Sequence, residues 1–246
     1  MAKYAIIGGS GITRMDGLEI IRREVLHTPF GEPSAPLTHG TFHGLELLFL
    51  PRHGAAHTLP PHRVNYRANL WALRQVGVEM IVAIAAVGSL NPRISPGSIS
   101  IPDQIIDYTY SRAQTFFEEN LQHVTHIDFT YPYCEALRQA LLRAAAESGI
   151  EATGTATYGA TQGPRLETKA EIDRMGRDGC DLVGMTGMPE AALARELDLC
   201  YACCAVVANW AAGRGDGLIS MEEIEGHLKD GMHKVYKILS KLFISV

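Results

Sequence analysis

The chain has 246 residues, 46% hydrophobic and 20% charged, enough to bury one substantial core. Its 27 acidic and 22 basic residues leave a net charge of −5 without a basic run, which excludes nucleic acid as the main partner because phosphate-backbone binding needs clustered Lys and Arg. The apolar run at 80–87 is far too short to span a bilayer and the N-terminus has no signal-peptide pattern, so a cytoplasmic protein without a membrane partner is expected.

In chain order, residues 4–7 form a short apolar strand feeding Gly8-Gly9-Ser10-Gly11. A hairpin-like region follows, and residues 45–50 make a second strand that ends at Pro51-Arg52-His53-Gly54. Val64, Ala68, Trp71, Ala72 and Val76 recur at helical spacing, and Gly77 stops that helix. Residues 80–87 predict a buried strand ending at Gly88-Ser89. A helix over 134–146 and a strand over 153–158 come next, followed by Gly163-Pro164-Arg165-Leu166-Glu167. Gly184-Met185-Thr186-Gly187-Met188-Pro189-Glu190 leads into a short helix over 189–197, with proline near its start. Residues 199–208 predict another buried strand, ending at Asn209 before a glycine-rich stretch over 211–217. The last helix is expected to bury Ile224, Leu228, Val235, Ile238 and Leu242. Apolar strands alternating with helices predict an α/β fold, a sheet flanked by helices, and no linker or repeat divides residues 1–246, which read as one domain.

The five cysteines, Cys134, Cys180, Cys200, Cys203 and Cys204, follow no secreted framework. Cys200 and Cys203 have C-x-x-C spacing but lie within the buried strand with no second pair, so reduced core thiols are expected rather than a metal site. His57 and His62, near His53, have no carboxylate or cysteine to complete a ligand set, and no metal is expected there either.

Loops directly after strands are where open α/β sheets place ligands. In Gly8-Gly9-Ser10-Gly11 the glycines let backbone N–H groups approach an anion and Ser10 adds a hydroxyl. Arg52 beside His53 offers a charged fork and a further donor to a phosphate dianion. Glu167 stands on a Gly-Pro loop at a strand end, a position suited to reading a ligand edge. Thr186 is close to a helix N-terminus, a natural anion position, and Met185 offers a flexible apolar face. Asn209 presents an amide donor and acceptor together. No Ser-His-Asp order, carboxylate pair or activated cysteine stands out, and a phosphate nucleophile brought in as a substrate would need none of them.

These motifs resemble the trimeric purine nucleoside phosphorylase and methylthioadenosine phosphorylase family. The likeness runs nearly end to end, through Thr28-Pro29-Phe30-Gly31, Val64-Asn65-Tyr66-Arg67-Ala68-Asn69, Gly88-Ser89-Leu90 and Met185-Thr186 as well as the loops above. Within the family it is nearest to the bacterial methylthioinosine phosphorylases. The resemblance implies a phosphorylase/hydrolase-like fold with a mixed sheet, a homotrimer, no cofactor, and inorganic phosphate as co-substrate. It places phosphate on Ser10, Arg52, His53, the Ala86 N–H and Thr186, and makes His53, Glu167 and Asn209 the catalytic residues. It sets Met185, Leu166, Ala211, Met221 and His126 against the nucleoside, with His126 and Phe129 in a segment that reaches a neighbouring subunit. Leu166 replaces an aromatic beside the base, and Ala85 replaces a threonine that touches phosphate in adenine-cleaving relatives. Glu167 and Asn209 match a 6-oxopurine, while Met221, where a 5′-hydroxyl-binding histidine stands in inosine phosphorylases, suits a methylthio group. Phosphorolysis of 5′-methylthioinosine is therefore expected, with methylthioadenosine or inosine and guanosine as alternative substrates.

Overall fold

The computed structural model describes residues 2–12, 15–119 and 121–244. The first half of the chain gives β1 (Tyr4–Gly8), β2 (Glu19–Glu24), β3 (Leu37–Phe42), β4 (Leu45–Pro51), α1 (Tyr66–Gln75), β5 (Met80–Ser89), β6 (Ile99–Ser100) and β7 (Gln104–Asp107). The second half gives α2 (Glu135–Glu147), β8 (Ala152–Thr153), β9 (Thr157–Ala160), α3 (Lys169–Arg177), β10 (Leu182–Gly184), α4 (Gly187–Glu196), β11 (Cys200–Trp210) and α5 (Met221–Ile244). Among the described residues no helix is long and apolar enough to cross a membrane.

The strands join one mixed sheet, and side-chain alternation sends their residues to two buried layers. Ala5, Ile7, Leu48 and Leu50 pack toward α1 and α4, whereas Ile6, Leu47, Phe49 and Val82 pack toward α2 and α5. The α/β arrangement expected from the strand and helix order is present. The centre is β5, which pairs in parallel with β11 along its whole length. On its other edge β5 pairs with β1 only through Ala83, and with β10 only from Gly88 onward. Between these two partners the edge at 84–87 is left open, and the cavity described below sits there.

Several local expectations need correction. The strand expected over 153–158 is divided: β8 pairs with β6, while β9 pairs with β7 and β10. The Arg138 guanidinium takes the carbonyl of Gly154 at the break, so that carbonyl is not available to a ladder. The helix expected from 134 starts one residue later, with Cys134 as its N-cap. Asn65 caps α1 by accepting from the Ala68 N–H at 3.1 Å, so Val64 lies outside the helix. Ile224 and Leu228 are only partly buried, with Leu228 packed at the edge of the core: α5 buries Val235, Ile238, Leu239 and Leu242, and its N-terminal half faces the cavity.

Cys134 and Cys200 are also not reduced thiols. The Cys134 N–H donates to the Tyr201 carbonyl at 2.8 Å, which brings the start of α2 against the start of β11, and the two sulfurs form a disulfide. Cys180, Cys203 and Cys204 are buried free thiols, the state expected for Cys203. Helix α3 and strand β10 had no sequence signal comparable to the others. The α3 start does carry one in retrospect, because Thr168 and Glu171 form a capping box.

Candidate active site

The open edge of β5 forms one wall of a cavity of about 850 Å³. Ser10, Arg52, His53, Ala86, Leu166, Glu167, Met185, Thr186, Asn209, Ala211 and Met221 all line it. Among the sequence-derived residues, His126 does not: it is exposed and lies outside the cavity. The Ile84 carbonyl accepts from Arg52 Nη1 at 2.9 Å across the open edge. Backbone groups alternate sides along a strand, so the Ala86 N–H, two residues on, is turned to that same edge with no strand to receive it.

Arg52 is almost wholly buried, and its charged fork is already engaged by a carboxylate. Its Nε and Nη2 donate to the two carboxylate oxygens of Glu190, both at 2.7 Å. Tyr201 Oη donates to Glu190 Oε1 at 2.9 Å, giving that carboxylate a third bond. Burial by itself would lower the Arg52 pKa, but the charge and hydrogen bonds of Glu190 outweigh it and hold the guanidinium well above its ordinary value. One N–H on each terminal nitrogen is left for a ligand. Gly9 makes the approach possible: a Cβ there would lie 2.4 Å from the Ile84 carbonyl oxygen and 3.0 Å from Arg52 Nη1. Glu190 is the residue that sequence reasoning missed, although it lay inside a motif already singled out.

His53 Nδ1 sits 2.8 Å from the Leu59 carbonyl. A carbonyl only accepts, so Nδ1 carries the hydrogen and the neutral ring presents an Nε2 lone pair. Burial, then the neighbouring Arg52 charge, push the imidazole pKa down to about 4. His53 is therefore not the donor expected from sequence; near neutral pH it can accept the O–H of a hydrogen phosphate. Ser10 Oγ is 3.2 Å from His57 Nε2, which holds the hydroxyl at the cavity wall. Thr186 is the N-cap residue of α4, yet its side chain makes no capping bond. Met188 has extended backbone angles, so the regular helix starts only after it, and the side chain of Glu190 occupies the first turn. Thr186 therefore offers its hydroxyl, and its own N–H is donated to Tyr158 Oη at 3.3 Å.

The lowered pKa of His53 has a consequence for stability. An unfolded histidine titrates near 6.5, so between that value and about 4 the unfolded chain binds the proton more readily. Stability from this residue should be complete above pH 6.5 and should be lost as pH falls through 4. Urea melts at pH 7 and pH 5 should show a larger loss for the wild type than for His53→Gln. An equal loss in both would sink the assignment.

At the other end of the cavity, Thr161 Oγ1 donates to Glu167 Oε1 at 2.6 Å, fixing that carboxylate. Asn209 Nδ2 donates to the Trp210 carbonyl at 2.7 Å, which orients the amide and leaves one N–H and Oδ1 for a ligand. Asn209 follows a register shift in β11 between Val207 and Asn209. The Met185 side chain packs against Gly163, where a Cβ would lie 2.4 Å from the Met185 sulfur. Met221 is the first residue of α5 and is 64% exposed, so it is a rim residue rather than an enclosed one. Ile224, one turn on, and then Leu228, both of which sequence reasoning assigned to the core, continue an apolar wall with Met232. The cavity thus joins an end lined by Ser10, Arg52, Ala86 and Thr186 to a polar end at Glu167 and Asn209, with an apolar side along the start of α5.

The model of the phosphorylase superfamily matches residues 3–244 of the chain. A probable S-methyl-5'-thioinosine phosphorylase of Pseudomonas syringae pv. tomato is 54% identical over 242 residues, covering 98% of each chain. A 6-oxopurine nucleoside phosphorylase of Pyrococcus furiosus is 45% identical, covering 97% of this chain and 91% of its own. Among solved structures, methylthioadenosine phosphorylase from Schistosoma mansoni in complex with adenine superposes with a TM-score of 0.95 at 31% identity, covering 100% of this chain and 92% of that one.

Proposed function

The chain belongs to the phosphorylase superfamily, and within it we propose the reversible phosphorolysis of 5′-methylthioinosine to hypoxanthine and 5-methylthioribose 1-phosphate. The observation behind this reading is that one cavity holds the anion-binding residues together with Glu167, Asn209 and the apolar start of α5. Phosphate is held by Ser10, the Ala86 N–H, Thr186 and the remaining N–H groups of Arg52. His53 Nε2 takes the O–H of hydrogen phosphate and so turns an unprotonated oxygen toward the sugar. That oxygen bonds to the anomeric carbon as the carbon–nitrogen bond to the base breaks. The bonding pair leaves with the purine, which gains a proton while phosphate loses one, so the reaction is proton-neutral overall.

Catalysis is then placement of phosphate plus stabilisation of the departing base. Asn209 Oδ1 accepts from a purine protonated at N7, and its second N–H reaches O6. Glu167 accepts from N1–H, a hydrogen that hypoxanthine has and adenine lacks. An adenine in this site would leave polar groups unmatched, at about 1–3 kcal/mol for each. Met221 and Ile224 give the 5′ carbon an apolar neighbour, which suits a methylthio group. Inosine is the competing substrate, because His233 also lines the outer cavity and its ring can bond a 5′-hydroxyl. No cofactor enters this scheme. We place the enzyme in the cytoplasm as a homotrimer, with the exposed His126 segment reaching a neighbouring subunit's cavity.

Base release from methylthioinosine, methylthioadenosine and inosine, each with and without phosphate, tests the reading. Hypoxanthine should appear from methylthioinosine only when phosphate is present, with kcat/KM roughly 100-fold or more above that for methylthioadenosine. Release without phosphate would make the enzyme a hydrolase instead. Equal turnover of methylthioadenosine would refute the base assignment.

A further inference from the structure

Arg112 lies in the long connection between β7 and α2, and no sequence motif singled it out. Its guanidinium is saturated by oxygen acceptors. Nε donates to Gln162 Oε1 at 3.0 Å, and Nη2 to the Thr161 and Gln162 carbonyls at 3.1 and 2.7 Å. Nη1 donates to the Met185 and Met188 carbonyls at 2.9 and 2.6 Å. All five N–H groups are thus directed at amide oxygens, and among the described residues no carboxylate pairs with the charge. The Tyr66 ring lies under the guanidinium, with Cζ 5.6 Å from its centroid.

The two segments that Arg112 joins serve opposite ends of the cavity. One leads to Glu167, whose carboxylate is held by Thr161 Oγ1. The other contains Met185 and Thr186. A backbone bond from the Thr161 N–H to the Gly184 carbonyl, 2.7 Å, joins the segments at one end. Beyond that bond the chains diverge, and the carbonyls they turn toward each other meet on one cation. Without it, those carbonyls would face each other with no donor between them, and the segments would separate to admit water.

From this geometry we propose that Arg112 is a positioning residue that sets the distance between the base-reading loop and the sugar- and phosphate-holding loop. It touches neither substrate and acts through Glu167, Met185 and Thr186. Its kinetic consequence rests on the phosphorolysis reading above. A planar fork is needed, since a lysine ammonium has three donors on one centre and cannot span both loops.

The test compares Arg112→Ala and Arg112→Lys with Arg138→Ala. Arg138 is a useful control because it also binds backbone carbonyls, Pro102 at 2.9 Å and Ile101 at 3.4 Å, and does not line the cavity. Arg112→Ala should lose about 100-fold in kcat/KM, with KM raised for nucleoside and phosphate together, and added guanidinium ion should restore part of it. Arg112→Lys should fall between Arg112→Ala and the wild type. Arg138→Ala should lower the melting temperature and leave both KM values unchanged. Amide hydrogen exchange over 161–167 and 184–188 reads the clamp without turnover, and both segments should exchange faster in either Arg112 variant. Unchanged exchange, or KM effects equal to those of Arg138→Ala, would overturn the proposal. A wild type that releases no base with phosphate would remove the reaction reading alone, and the exchange data would still decide the clamp. If Arg112→Ala does not fold, Arg112→Lys carries the same measurements.

Discussion

Replacing Glu190 with alanine is expected to cost about 3–5 kcal/mol of folding free energy, because it leaves the Arg52 guanidinium buried without its counter-charge. Arg52 and Glu190 are 1% and 0% exposed, so water cannot take over the lost bonds. Tyr201, 3% exposed, loses the acceptor for its hydroxyl in the same substitution. For a chain of this size the melting temperature should fall on the order of 10 °C. Glu190→Gln should fall part of the way, since its amide oxygen still accepts but its charge is gone. The double variant Arg52→Met with Glu190→Leu separates stability from function. It should recover most of the melting temperature, because an apolar pair can fill that volume, yet saturation by phosphate should not return. A Glu190→Ala protein that melts with the wild type would show that Arg52 is satisfied by some other partner.

Asn209→Ala should lower kcat for methylthioinosine by roughly 100- to 1,000-fold, the usual effect of removing a group that meets charge developing on a leaving atom. The KM for phosphate should change little, because Asn209 lies at the base end of the cavity. A larger effect on phosphate KM than on kcat would place Asn209 in ground-state binding and contradict its catalytic role. Asn209→Asp asks a different question. A carboxylate cannot donate to the Trp210 carbonyl and is repelled by it, so it should turn into the cavity as an acceptor. Turnover of methylthioadenosine relative to methylthioinosine should then rise. An unchanged ratio would mean that Glu167 alone chooses the base.

Much of this site was legible because its residues sit in short motifs at strand ends, where backbone geometry and chemistry coincide. Ser10 and Arg52 follow strands that apolar runs predict, Glu167 follows one whose bounds were misplaced, and Thr186 follows β10, which had no such signal, yet all four reach one cavity. What failed were the side-chain partners, which depend on contacts across the fold. Arg52 and Glu190 are 138 residues apart, and nothing local to either shows that they pair. His53 changed from donor to acceptor because of a carbonyl six residues on. Cys200 was read as a core thiol because a separation of 66 residues leaves its meeting with Cys134 to the sheet. Ile224 and Leu228 show a limit of periodicity itself: an apolar stripe faces a cavity and a core with the same spacing.

The register shift in β11 separates two tasks that share a cavity. Strand β5, which offers the Ala86 N–H and the Ile84 carbonyl, keeps an unbroken ladder with β11 from Met80 through Val87. The irregularity begins only beyond Val207, at the extra residue Ala208. Asn209 therefore sits on backbone that can be adjusted without dragging the anion-binding edge along. On the proposed reading, a substitution at position 209 should therefore alter the choice of base and leave the backbone edge at Ile84 and Ala86 in place. A shift confined to one strand thus uncouples the two ends of the cavity mechanically.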